Sequence, residues 1–120
     1  MIELSVQSHL EVAHFMPDFP EGHPNRRVHG HSYNVIVTLR SEEDVSVVMD
    51  YDVLKNKVES VLSEYDHTSV NDWLQGDAPT MENMCRFLWP KFKGALPQLC
   101  RLTLFRPTLN MTVVYEGKLR

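Results

Sequence analysis

Cysteine is scarce in this sequence. The two present, Cys85 and Cys100, each sit in an apolar pattern, which excludes a disulfide framework or a thiolate metal site and leaves both to be read as reduced core thiols. Long apolar runs are missing too. None approaches the roughly 20 residues that span a bilayer, and the N-terminus, MIELSVQSHLEV, lacks the basic-then-apolar order of a secretory leader. The expected setting is the cytoplasm, with no membrane partner. There is no excess of positive charge either: 12 Lys and Arg against 16 Asp and Glu leave a net charge of -4, which gives no electrostatic footprint for nucleic acid. A small molecule is the expected partner. Repeats, low-complexity tracts and linkers are absent, so the 120 residues, 42% of them hydrophobic, are read as one domain over 1-120.

What is present reads as short alternating and helical patterns. Met1 to about Phe15 alternates as a strand, with Leu10, Val12 and His14 on one face. Phe15 to Val28 carries three prolines and a glycine and is expected to be a loop. His29 to about Arg40 is rich in β-branched and aromatic residues, and His29, His31, Tyr33, Val35, Val37 and Leu39 share a face. Ser41 to Asp44 should break that strand, with a turn or hairpin leading into Val45 to Met49. Helical spacing follows Asp50 through Val53, Leu54, Val58, Val61, Leu62 and Tyr65. A second helix is expected after an N-cap at Thr80, using Met81, Met84, Cys85, Leu88 and Phe92, with Pro90 kinking or ending it. CRLTLF and MTVVYE then read as two strands joined by a turn around Pro107 to Asn110. The order is β-β-α-α-β-β, an α+β arrangement.

The histidines carry the chemistry. A His-x-His pair on a strand puts two imidazoles on one face about 6.6 Å apart, within reach of one ion. Gly30 between them leaves room. Catalytic zinc usually takes three protein ligands and leaves its fourth position to water or substrate. His14, ending the preceding strand, is the natural third ligand, because an antiparallel hairpin would bring all three histidines to one end of the sheet. On residues alone the alternative stays open that these are three polar strand residues. Asp66 and His67 form a pair that can orient a tautomer for proton transfer, although such dipeptides at helix ends are commonly caps or surface groups. His9 and His23 read as exposed or otherwise satisfied histidines.

Taken together and in order, LEVAHFMP, EGHPNRRVHGHSYNV, VMDYDVLK, EYDHTSVND and APTMENMCRFLW resemble the 6-pyruvoyltetrahydropterin synthase family, which includes the 6-carboxytetrahydropterin synthase of queuosine biosynthesis. The resemblance implies a tunnelling-fold (T-fold) unit: a four-stranded antiparallel sheet with two helices on one face, whose copies assemble around a barrel, here expected as a homohexamer of two stacked trimers. It implies Zn2+ on His14, His29 and His31, a catalytic Asp66–His67 pair, and substrate contacts from Thr80 and Glu82. The implied reaction is that of a lyase on a pterin such as dihydroneopterin triphosphate, with zinc as Lewis acid and template.

Two positions depart from the family pattern. The usual catalytic base is a cysteine four residues before the HGH, and Asn25 stands there; an amide takes no proton at neutral pH. The glutamate that anchors the pterin's amino edge is matched by Arg106, or by Pro107 with a one-residue gap, which replaces an acceptor by a donor. Glu21, His23 or His67 are the candidate replacement bases, and Arg106 is expected to meet a carbonyl-bearing or anionic group. The alternative implied by both departures is a divergent T-fold protein that binds zinc and a different heterocycle without the standard synthase activity.

Overall fold

A computed structural model describes residues 1–117; residues 118–120 lie outside the described part. Its frame is one long hairpin. Strand β1 (Ile2–His14) pairs antiparallel with β2 (His29–Ser41) over their whole lengths, from Ile2 opposite Ser41 to His14 opposite His29. Alternation does the sorting: Ser8, Leu10 and Val12 of β1 and Tyr33, Val35, Val37 and Leu39 of β2 are buried on one face. The Pro-rich loop between the strands contains a single 3-10 turn, Pro24–Arg26.

After β2 the chain forms α1 (Tyr51–Ser63), a two-residue strand β3 (Thr68–Ser69), the short α2 (Val70–Leu74), α3 (Met81–Ala95), β4 (Leu99–Arg106) and β5 (Met111–Tyr115). The sheet order is β3-β1-β2-β4-β5. Helix α1 starts where the Asp50 carboxylate accepts the Val53 N–H at 3.1 Å, and α3 where the Thr80 hydroxyl accepts the Asn83 N–H at 3.2 Å. Leu54, Leu62, Met84 and Phe92 from the helices complete the core over Leu10 and Val35. Each such side chain contributes about 1.5–3 kcal/mol by leaving water.

Several expectations need correction. Among the described residues the sheet has five strands and is mixed, because β3 adds parallel to β1 beside Val12 and Ala13; a two-residue strand is too short to leave a period in the sequence. Among the described residues there are three α-helices, since the five-residue α2 precedes α3. Val45 to Met49 form no strand, for β2 already has β1 on one side and β4 on the other, and Val48 and Met49 pack on the core instead. Val53 is 45% exposed rather than inward. Pro90 neither ends nor limits α3, which runs on to Ala95 with the ring exposed. Cys85 is a buried thiol, held protonated by burial that pushes its pKa up to about 12, whereas Cys100 is free but only half-buried, beside Glu3. Among the described residues, no helix is long and apolar enough to cross a membrane.

Candidate functional site

The end of the β1–β2 hairpin opposite Ile2 and Ser41 brings three imidazoles together. His14 and His29 face each other directly in the register, and His31 stands two residues along, opposite Val12. Their ring centroids are 4.5, 4.7 and 4.8 Å apart, and one nitrogen from each lies within 4.8 Å of the others. All three are half-buried.

The outer hydrogen bonds decide which nitrogens converge. His14 Nδ1 donates to the Pro79 carbonyl at 2.9 Å and His29 Nδ1 to the Arg27 carbonyl at 2.7 Å. In the neutral rings both Nε2 atoms are then lone-pair bearers, yet they stand 3.0 Å apart. Two lone pairs at that distance repel unless a cation lies between them. Two nitrogens bound to one tetrahedral zinc at 2.0–2.1 Å are about 3.3 Å apart, so the donor set fits such an ion. Carbonyl-bound Nδ1–H groups are also the usual outer support of ligating histidines. His31 is suited to the same role: burial first, then the Arg106 charge, lowers its pKa to about 4, which keeps the ring neutral. Burial lowers the His14 pKa as well, against the opposing effect of its Pro79 hydrogen bond.

Around the triad lies a cavity of about 200 Å³, lined among others by Asn25, Tyr33, Thr80, Glu82, Arg106 and Met111. Thr80 has a structural duty there as the cap of α3, and Glu82 occupies the first turn of that helix, where a carboxylate complements the helix dipole. The Arg106 guanidinium is steadied by Nε donating to Thr108 Oγ1 at 3.2 Å.

A second, larger and open cleft of about 870 Å³ shares His29, His31 and Arg106 with the first and reaches Glu11, Ser32 and His67. Here the Asp66–His67 pair is built. His67 sits in the left-handed region at φ 61°, an uncommon conformation for a residue with a Cβ. It is fixed there because its N–H donates to the Glu11 carbonyl at 2.6 Å. Asp66 Oδ1 accepts the Glu11 N–H at 2.8 Å, and its Oδ2 accepts His67 Nδ1–H at 2.7 Å. The Glu11 amide, foremost, and the His67 bond hold the Asp66 carboxyl below its ordinary pKa. His67 Nε2 is thereby left as the lone-pair nitrogen, on an imidazole that is 76% exposed.

The residues expected at the site thus divide. His14, His29, His31, Asn25, Thr80, Glu82 and Arg106 share one cavity, while His67 lines the adjoining cleft. Glu21 lines neither. His23 accepts the Asn25 N–H at Nδ1, 3.0 Å away, so a neutral His23 presents only an Nε2–H donor. Sequence reasoning missed the carbonyls of Arg27 and Pro79, which leave no side-chain signal, and Glu11 and Ser32, which read as ordinary outward residues of strands.

The model of the 6-pyruvoyl tetrahydropterin synthase family matches residues 3–118. The chain is 32% identical to the 6-carboxy-5,6,7,8-tetrahydropterin synthase of Bacillus subtilis over 97% of its own length and 86% of that protein's. It is 33% identical to the dihydroneopterin monophosphate aldolase of Pyrococcus furiosus, over 65% of this chain and 69% of that one. In fold it is similar to the Caenorhabditis elegans 6-pyruvoyl tetrahydropterin synthase, with a TM-score of 0.82 at 23% identity, covering 98% of this chain and 96% of the other. With the match extending from the first strand to the end of the last, this T-fold chain belongs to the 6-pyruvoyl tetrahydropterin synthase family.

Proposed function

We propose that the protein is a zinc-dependent lyase acting on a pterin of the dihydroneopterin triphosphate type, in the manner of the 6-pyruvoyl- and 6-carboxytetrahydropterin synthases. The observation that carries this reading is the convergence of His14 and His29 Nε2 at 3.0 Å with both Nδ1–H groups committed to carbonyls. His14, His29 and His31 would hold the ion. Zinc, when bound there, supplies a Lewis acid that polarises hydroxyl and carbonyl oxygens. Family membership and the pterin names borne by its relatives supply the substrate class.

The chain's own residues then have separable tasks. Asn25, where a cysteine base is expected, can orient a polar group but moves no proton. His67 takes that duty: Asp66 fixes its Nδ1–H tautomer, so Nε2 accepts a proton from the substrate side chain and can return it. His23, bound through Nδ1, and Glu21, outside both cavities, drop behind it. Thr80 and Glu82 bind substrate from the start of α3, and Arg106 meets an anionic or carbonyl group. The two sheet edges, β3 and β5, with Met111 and Val114 about half exposed on β5, favour closure by neighbouring copies into a hexameric barrel.

Incubating the zinc-loaded protein with dihydroneopterin triphosphate tests the reading. Release of triphosphate with formation of a pterin product is expected. A folded, zinc-bearing protein that releases none overturns it. That outcome would favour a second reading, which Asn25 and Arg106 motivate: a divergent member that binds zinc and another heterocycle without the synthase reaction.

A further inference from the structure

Arg106 brings a positive charge with no counter-ion to the sheet face that carries the triad. Leu102 and Leu104 of β4 are buried, so alternation turns Arg106 to the same side. The pairing of Asn34 with Phe105 then sets it beside Tyr33, two residues along β2 from His31. All three histidines line the cavity of about 200 Å³ with it. Its Nε is committed to Thr108 Oγ1, and among the described residues no salt bridge involves it, although Glu82 lines the same cavity. The half-buried guanidinium therefore keeps its two terminal amino groups for a ligand.

The walls around it suit the faces of a flat ring. Met111 stands directly opposite Arg106 in the β4–β5 register, and Met16, Phe19 and Met81 line the same cavity; thioethers and an aromatic ring pack well on a heterocycle. The guanidinium is then left to meet an edge. Its fork of parallel N–H donors matches two acceptors side by side. A 7,8-dihydropterin has one such edge, formed by the C4 carbonyl oxygen and N5, whereas its amino group and N3–H make an edge of donors that faces a guanidinium badly.

We propose that Arg106 grips the ring by its C4 carbonyl and N5, which lie side by side as O6 and N7 do in guanine, where arginine makes its commonest base-specific contact. C6, the neighbour of N5, then turns its side chain toward the triad. The order across the sheet is the ring at β4, the side chain over β2 and β1, and His67 beyond them beside β3. This grip holds only if the ligand is a pterin, as the preceding section proposes. It also sets the oxidation level. In a 5,6,7,8-tetrahydropterin N5 carries a hydrogen, which confronts a donor with a donor, so Arg106 holds the dihydro ring and loosens on the tetrahydro product.

The test is a fluorescence titration of zinc-loaded wild type and Arg106→Met with 6-hydroxymethylpterin, its 5-deaza counterpart, in which a C–H replaces N5, and 6-hydroxymethyllumazine, in which a carbonyl replaces the amino group. Wild type should bind the pterin roughly tenfold or more tightly than the 5-deaza ring, and no more weakly than the lumazine. Arg106→Met should lose about 10- to 100-fold for the pterin and bring the pterin and the 5-deaza ring close to equal affinity, at unchanged zinc content and melting temperature. Wild type indifferent to N5, a result that needs no variant, overturns the grip and leaves the pterin reading standing, as does a preference for N5 that survives in Arg106→Met. A clear preference for the lumazine overturns it too, because Arg106 would then face the other edge. Wild type that binds none of the rings fails the pterin reading itself, and the grip falls with it.

Discussion

Replacing His67 by glycine separates catalysis from stability, because the same residue is the proposed base and bears backbone strain. A side chain in the left-handed region costs roughly 1–2 kcal/mol, and His67 is held there at φ 61°. Glycine removes that cost. Against it stand a more flexible unfolded chain, about 0.5–1 kcal/mol, and the lost bond to Asp66 on an imidazole 76% exposed, about 0.5–1 kcal/mol after solvent screening. The sum is near zero, so thermal melting should shift by no more than about 4 °C. His67→Ala keeps the strain and should melt below His67→Gly. Loss of a positioned base costs 10²- to 10⁴-fold, so triphosphate release should fall by at least about 100-fold in both variants. A glycine variant melting well below the alanine one would refute the strain argument; one retaining a tenth or more of wild-type turnover would refute the base assignment.

Other outcomes follow from the same geometry. The Asp66 carboxyl, held below its ordinary 3.8 by the Glu11 N–H and His67, binds fewer protons folded than unfolded. Its stabilisation is complete above about pH 4 and lost as pH falls through the lowered value, so melting scans at pH 3 to 7 should show a steeper acid loss in wild type than in Asp66→Asn; equal slopes would contradict this. Asn25→Cys should raise triphosphate release from dihydroneopterin triphosphate above wild type, because a thiolate can take the proton an amide cannot, and no gain would show that this position does not limit the reaction. Sedimentation at micromolar concentration should give a homohexamer, whereas a monomer would defeat the proposed barrel closure.

The hairpin was legible because β1 and β2 keep a period of two over most of their length, broken in β2 where Thr38 is buried between Val37 and Leu39, and that regularity puts His14 and His29 opposite each other and His31 on the same face. The helical starts were legible through Asp50 and Thr80, whose side chains cap as their chemistry dictates. Where the reading failed, the deciding contact was remote. Val45 to Met49 look like a strand locally, but both sides of β2 were taken; β3 exists only because the free side of β1 accepts two residues. Pro90 breaks helices in general, yet on the exposed side of α3 it is carried through. At the site, the side chains were nameable from the sequence, but the carbonyls of Arg27 and Pro79 that aim the imidazoles were not, since main-chain positions follow from the fold alone. The Asp66–His67 pair was visible as a dipeptide, while its clamp on Glu11, 55 residues away, was not.

The most direct test of the proposed zinc centre is X-ray absorption at the zinc edge combined with metal analysis, on wild type and on His14→Ala, His29→Ala and His31→Ala. The expected result is one zinc per chain in wild type, with three imidazole nitrogens at about 2.0–2.1 Å, and severe loss of metal in each alanine variant. Full zinc occupancy in the variants, or a wild-type metal without imidazole scattering, would contradict it.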